Sequence, residues 1–196
     1  MSRRILALIA VLALALAILT GLAVRKGVLG PQPQTAAVGG PFQLVDTNGR
    51  TVDQSVLKGK WSVVFFGFTQ CPDVCPTAMA ELAETKKQLG ADGDKLQGLF
   101  VTIDPERDTA EVLKAYMGNF DPGFLALRGS LDETAQVARH FKVFYKKVQG
   151  KTAGAYTMDH SAGSFVFDPQ GRIRLYTRHA AGPQALAHDV RLLLKP

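Results

Sequence analysis

Cysteine is scarce in this chain: 196 residues contain two, Cys71 and Cys75. A structural zinc site would need two more ligands close by, so the pair alone does not make one. The three residues between them also depart from the two-residue gap of a C-x-x-C redox motif. Net charge is small where it would matter. The formal charge is +6, but Arg3, Arg4, Arg25 and Lys26 all fall within the first 30 residues, which hold no acid. The remainder carries 19 basic against 17 acidic residues, or +2. No basic run with interleaved aromatics follows, which leaves no nucleic-acid partner to propose. Internal repeats are also lacking.

What is present is enough apolar residue, 46% against 20% charged, to bury one ordinary core. The longest uncharged run is Ile5 to Val24, bracketed by Arg3 and Arg4 before it and Arg25 and Lys26 after it. Twenty residues at helical rise cover about 30 Å, the hydrocarbon thickness of a bilayer. A cleaved signal has a shorter apolar stretch, roughly 7 to 15 residues, with a small-residue cleavage site, and Leu22-Ala23-Val24 before Arg25 makes a poor one. Residues 1–26 are therefore expected to be an uncleaved transmembrane anchor. Residues 27–41, "GVLGPQPQTAAVGGP", carry no charge and suit a flexible tether. The folded domain is expected over 42–196.

That domain opens with "FQLVDTNGRTVD", in which Asn48-Gly49 signals a hairpin. "WSVVFFGF" is continuously apolar and β-branched or aromatic, as a strand covered on both faces should be, and it runs directly into the cysteines. Pro76 suits the first turn of the helix that follows, whose apolar face is marked by Met79, Leu82, Ala83 and Leu89. "LQGLFVTID" is a second buried strand, "DTAEVLKAYMGNF" a helix and "FLALRG" a short strand. Ser130 and Glu133 form a capping box for a helix ending near Phe141. "SAGSFVFDPQGRIRLYT" is a hairpin around Asp168 to Gly171, and "PQALAHDVRLLLK" a closing helix. This order predicts an α/β domain, a thioredoxin-like fold with an extra N-terminal β-hairpin and an inserted helical segment.

The cysteines thus lie in the loop between a central strand and a helix N-terminus, where negative charge is stabilised and thiols are expected to be acidified. A plain stabilising disulfide would close so small a loop that it restricts the unfolded chain little, about 2 kcal/mol. A metal site needs further donors, and two thiolates with an imidazole form a soft set suited to copper. Of the four histidines, His140 and His188 fall on predicted helices and His179 follows the last strand. His160 opens a predicted strand in "YTMDHSAG", at the end of the sheet that abuts the cysteine helix. Phe68 and Tyr156 are expected to pack in the core, with shielding of that site or contact with a partner as the alternatives. In "DPERDT", Asp104 ends a strand and Asp108 adjoins a helix start, where turn and N-cap chemistry is the preferred reading.

"GFTQCPDVCPTAMAEL", "VTIDPERDT" and "DHSAGSFVFDPQGRI", in this order and spacing, resemble the Sco/SenC family of membrane-tethered copper-binding proteins, across about residues 40 to 195. The resemblance implies a thioredoxin-like fold and one copper ion per chain, Cu(I) or Cu(II), held by Cys71, Cys75 and His160. It also implies assembly of the binuclear copper centre of cytochrome c oxidase, as a metallochaperone or as a thiol-disulfide reductase using Cys71 and Cys75 as a redox-active disulfide. The partners implied are the copper-centre subunit of the oxidase, a copper donor chaperone and a thiol reductant. Asp73, between the cysteines, is a candidate to tune the charge of the site, although a solvated loop acid is the usual reading, and Asp159 is a candidate to orient His160 or a neighbouring backbone amide. No mitochondrial presequence precedes the apolar run, which places the expected anchor in a bacterial inner membrane with the domain on the periplasmic side. The wider spacing lets both sulfurs face a metal while still permitting a disulfide without it, so metal binding and oxidation exclude one another. A thioredoxin-like peroxidase is disfavoured: Thr69 stands one place too close to Cys71, and the proline of that motif is missing.

Overall fold

The computed structural model describes residues 4–5, 10–14, 16–18, 38–178 and 181–194. The chain divides into two units, Met1–Ala37 and Val38–Pro196. In the first, the described residues of 4–18 are helical and exposed. Most of the expected anchor and the tether over 27–37 lie outside the described residues. Among the described residues no helix is long and apolar enough to cross a membrane.

The second unit is built on a seven-stranded sheet. Strands β1 (Gln43–Asp46) and β2 (Thr51–Asp53) form the expected hairpin, and β3 (Trp61–Gly67), β4 (Leu96–Thr102) and β5 (Leu125–Arg128) follow in the chain. The later strands are β6 (Tyr145–Gln149), β7 (Tyr156–His160), β8 (Gly163–Phe167) and β9 (Ile173–Arg178). The sheet order is β2-β1-β5-β4-β3-β8-β9, while β6 and β7 form a separate two-stranded sheet. β3, β4 and β5 are parallel neighbours, whereas β8 pairs antiparallel with β3 and with β9. Four helices join them: α1 (Val74–Leu89), α2 (Ala110–Met117), α3 (Leu131–Phe141) and α4 (Pro183–Leu194). The units β3-α1-β4 and β8-β9-α4 are the thioredoxin-like core.

Every residue of β3 is buried, which explains why its sequence lacks the alternation of a one-sided strand. Alternate side chains serve opposite faces. On one face Phe66 meets Phe141 of α3, ring centroids 5.1 Å apart, and Phe141 also packs against Phe165 and Phe167. On the other, Phe65 packs against Phe100, which in turn meets Tyr116 of α2. Met79 and Leu82 of α1 and Ala187 of α4 are buried in the same core. The capping box of α3 is formed as expected: Ser130 accepts from the Glu133 amide and Glu133 from the Ser130 amide. Such a cap contributes about 1 kcal/mol.

Both tight turns of the sheet use the same local pattern, Asp-x-x-Gly-Arg. Asp46 is buried and accepts from the Asn48 and Arg50 amides and from the Arg50 guanidinium. Asp168 is likewise buried and accepts from the Gln170 and Arg172 amides and the Arg172 guanidinium. Gly49 at φ 77° and Gly171 at φ 76° supply the left-handed residue each turn requires.

One expectation is corrected. The inserted segment is not only helical: between α3 and β8 it contains the β6–β7 hairpin, in full antiparallel register from Tyr145↔His160 to Gln149↔Tyr156. His160 therefore closes β7 instead of opening the strand after it. YKKVQ carries no apolar stripe, YTMDH alternates over only five residues with Met158 as its one aliphatic member, and the connection "GKTAGA" is longer than a two-residue turn, so the hairpin signal in the sequence is weak.

Candidate metal centre

The parallel strands β3 and β4 end side by side, and the loops leaving their carboxyl ends, 68–73 and 103–109, form one rim of the molecule. Crevices at the carboxyl ends of parallel strands are where open α/β sheets bind ligands. Gly67, the last residue of β3, makes room for the site. A Cβ there would lie 2.8 Å from Cys75 Sγ and 2.8 Å from the Phe65 ring. Without that side chain, the Cys75 sulfur tucks against the strand and is 0% exposed, while Cys71 remains partly exposed above it.

Cys75 occupies the first turn of α1, and its backbone N–H donates to Cys71 Sγ at 3.4 Å. The sulfur takes the place of a capping side chain, because Asp73 at the N-cap position makes no side-chain cap bond. The Cys71 amide donates back to the Phe68 carbonyl at 3.3 Å, closing the loop into a turn. His160 arrives from the end of β7, with Nε2 3.6 Å from Cys75 Sγ. The Cys71, Cys75 and His160 donor atoms all lie within 4.8 Å of one another, and both cysteines are free thiols.

The ring of His160 is oriented by its other nitrogen. Nδ1 lies 2.9 Å from the Ser161 carbonyl, an acceptor, so Nδ1 carries the proton and Nε2 presents its lone pair to the sulfurs. Burial holds the His160 pKa below its ordinary value, so the ring is neutral at pH 7. Phe65 and Phe68 meet the ring edge-on, centroids 6.2 and 5.9 Å away, and prevent it from turning. Burial pushes the Cys75 thiol up, with Cys71 and Asp108 adding to the effect. Cys75 thus departs from the expected acidified thiol, because desolvation at this depth outweighs the helix terminus. A soft metal ion that displaces this proton would relieve the cost of a buried thiolate.

Cys71, Cys75 and His160 are brought together as the sequence suggests. The two acids weighed as neighbours of the site face solvent. Asp73 is exposed, and its Oδ1 accepts a long bond from Thr77 at 3.4 Å. Asp159 is exposed, and the Ser161 carbonyl holds the His160 ring in the role expected of it. His140 ends α3 with its ring against Gly40, His188 lies within α4, and His179 is outside the described residues.

Sequence reasoning missed the work of "DPERDT". The α2 N-cap is Thr109, which accepts from the Val112 amide. Asp108 instead is fully buried and accepts from the Thr69 amide, the Thr69 hydroxyl at 2.6 Å and the Thr102 hydroxyl at 2.5 Å. It ties the start of the cysteine loop to the end of β4. Burial raises the Asp108 pKa, against the lowering effect of the Thr102 and Thr69 bonds. Asp104, also buried, pairs with Arg107 and accepts from the Tyr156 hydroxyl at 2.8 Å. The available signal was Thr69 next to the cysteines, a short hydroxyl with no partner of its own in sequence.

The chain is similar to known proteins over most of its length. The SCO1/SenC family model matches residues 30–195. An SCO2-like protein of Rickettsia prowazekii is 39% identical over 143 residues, covering 72% of this chain and 68% of its own. The copper-bound structure of ScoI from Bradyrhizobium japonicum is 43% identical with a TM-score of 0.74, covering 81% of this chain and 100% of that one. BsSco, described as a member of the Sco family of cytochrome c oxidase assembly proteins with a disulfide switch, superposes with a TM-score of 0.64 at 25% identity, over 81% of this chain and 95% of its own. With a thioredoxin-like core, a dithiol at the β3–α1 junction and a histidine carried in by the inserted hairpin, the chain belongs to the SCO1/SenC family.

Proposed function

We propose that this protein is a copper metallochaperone that binds one copper ion, Cu(I) or Cu(II), through Cys71 Sγ, Cys75 Sγ and His160 Nε2 and delivers it to the binuclear copper centre of cytochrome c oxidase. The observation that carries the reading is the convergence of two thiols and a correctly tautomerised imidazole within 4.8 Å. Thiolate sulfur selects soft ions such as Cu(I), and imidazole extends the set toward Cu(II). The copper-bound relative and the oxidase-assembly description of BsSco support the same cargo and destination. The apolar run from Ile5 to Val24 supports a single N-terminal anchor, with the domain outside the cytoplasm of a bacterial inner membrane.

A second reading has its own observation. Cys71 is partly exposed above a buried Cys75, the arrangement of an attacking sulfur over a resolving one, which suits a thiol-disulfide reductase for the cysteines of the same copper centre. Incubating the copper-loaded full chain with the metal-free copper-centre subunit, its cysteines already reduced, separates the two. Copper is expected to move to the subunit. Retention of copper by this protein, together with reduction of a subunit supplied as its disulfide, would favour the reductase instead.

A further inference from the structure

The β6–β7 hairpin hydrogen-bonds to no strand of the main sheet, yet it must hold His160 within reach of two sulfurs fixed to β3 and α1. Met158 gives it an apolar foot in the core. Its polar attachments converge on one short segment, residues 104–107. Asp104 accepts from the Tyr156 hydroxyl at 2.8 Å. Arg107 Nη1 donates to the Tyr156 carbonyl at 2.9 Å, and its guanidinium lies over the Tyr156 ring, 3.6 Å from the centroid. Glu106 pairs with Lys147 at 2.7 Å, and Lys147 Nζ in turn sits 4.0 Å from the centroid of the same ring. Tyr156 is thus gripped by its hydroxyl, its carbonyl and its ring. The same Arg107 Nη1 reaches the cysteine loop at Gln70 Oε1, 3.0 Å away.

We infer that Asp104, Arg107 and Tyr156 form a clamp that positions His160 against the cysteine pair, and so set how well the site holds Cu(II) relative to Cu(I). The inference rests on the reading of Cys71, Cys75 and His160 as the copper ligands. Its physical basis is the difference in what holds the donors. The sulfurs are fixed chiefly by β3, α1 and Asp108, and the clamp meets that side at two points, the Asp108 amide on the Asp104 carbonyl and Arg107 Nη1 on Gln70 Oε1, neither of which touches a sulfur. The imidazole is carried by an arm whose polar ties run through three residues. Two thiolates suffice for Cu(I), whereas Cu(II) prefers additional nitrogen or oxygen donors. Loosening the arm therefore weakens one oxidation state selectively. Tyr156, Asp104 and Arg107 touch no donor atom and act as positioning residues, and outer partners of metal ligands commonly tune affinity by about 10- to 100-fold.

The test uses the reduced full chain with Tyr156→Phe, which removes one hydroxyl and little volume, Arg107→Lys, which keeps the charge but loses the planar fork, and His160→Ala as reference. Cu(I) and Cu(II) affinities are measured by competition, nitrogen coupling by electron paramagnetic resonance, and the His160 ring resonances of the metal-free protein by NMR. Tyr156→Phe is expected to lower Cu(II) affinity about tenfold, weaken the nitrogen coupling, broaden the metal-free His160 resonances and leave Cu(I) affinity within about twofold. Arg107→Lys is expected to do the same or more. Equal losses for both ions, or an altered melting temperature with unchanged Cu(II) affinity and coupling, would overturn the clamp. If His160→Ala itself binds Cu(II) as the parent does, the ligand assignment fails, a result distinct from failure of the clamp.

Discussion

The two halves of the metal centre are made differently. Cys71 and Cys75 stand at the junction of a strand buried at every residue and a sixteen-residue helix packed on it. His160 stands at the end of a five-residue strand with one buried residue, Met158, in a sheet of two strands. The first half is held by the core, the second by side-chain ties to a loop. A donor held by the core is stiff and moves only when the core is disturbed, whereas a donor on an arm can be displaced at small cost to the fold. On the proposed chaperone reading, this division makes the imidazole the donor more easily displaced.

Breaking the stiff half should give the largest effect. Cys75→Ser is expected to reduce copper binding to background for both oxidation states, read by metal analysis after dialysis, because one thiolate and an imidazole no longer form the soft pair that Cu(I) requires. Gly67→Ala tests whether the buried sulfur needs its niche. The added methyl lies 2.8 Å from Cys75 Sγ and from Phe65, an overpacking that costs about 1–3 kcal/mol. Thermal unfolding should show a melting temperature lower by several degrees, with Cu(I) and Cu(II) affinities falling together. An unchanged melting temperature would mean that the strand end yields easily.

Breaking the arm should look different. His160→Ala is expected to weaken Cu(II) binding about 100-fold, or roughly 2.7 kcal/mol, while the dithiol remains reducible and the melting temperature nearly constant. Copper bound as tightly as by the parent would remove His160 from the ligand set.

The smallest expected effect on the metal centre comes from changes far from both halves, in the two Asp-x-x-Gly-Arg turns, which act on stability alone. Burial works against ionisation of Asp46 and Asp168, but the amide and guanidinium bonds from Arg50 and Arg172 outweigh it and hold both carboxyls below the usual range. Their folded pKa values are thus lower than the unfolded ones. The stability they contribute is complete above about pH 4 and is lost as pH falls through the folded values. Asp168→Asn should cost about 1–3 kcal/mol at pH 7 and flatten the acid limb of the stability curve. An acid limb identical to the parent's would show that the turn carboxylate is not the group protonated there.

The same contrast governs what the sequence made legible. β3, β4, the first hairpin, the capped α3 and the β8–β9 hairpin each carry a strong local signal: continuous apolar residues, Asn48-Gly49, Ser130 with Glu133, or Asp168 to Gly171. The dithiol could be placed because a buried strand runs straight into it. The β6–β7 hairpin had only a weak signal, since its inward face is short and its stability comes from Tyr156 and Met158 meeting other parts of the chain. The roles of Asp104, Asp108 and Arg107 were hidden for the same reason. Short acids and an arginine near a helix start fit a local turn equally well, and their partners lie 39 residues away for Thr69 and Asp108 and 52 for Tyr156 and Asp104. Asp159 shows the converse: adjacency to His160 suggested contact, but successive strand residues point to opposite faces.

Cys71, Cys75 and His160 are proposed to make one copper site that exists only in the dithiol state. This is tested most directly by metal analysis with absorption spectroscopy on the full chain, copper-loaded after reduction and again after controlled oxidation. One copper per chain is expected in the reduced protein, with a sulfur-to-copper charge-transfer band for Cu(II), and both are expected to be lost when the cysteines are oxidised to a disulfide. Copper retained at one per chain with the disulfide closed would contradict it.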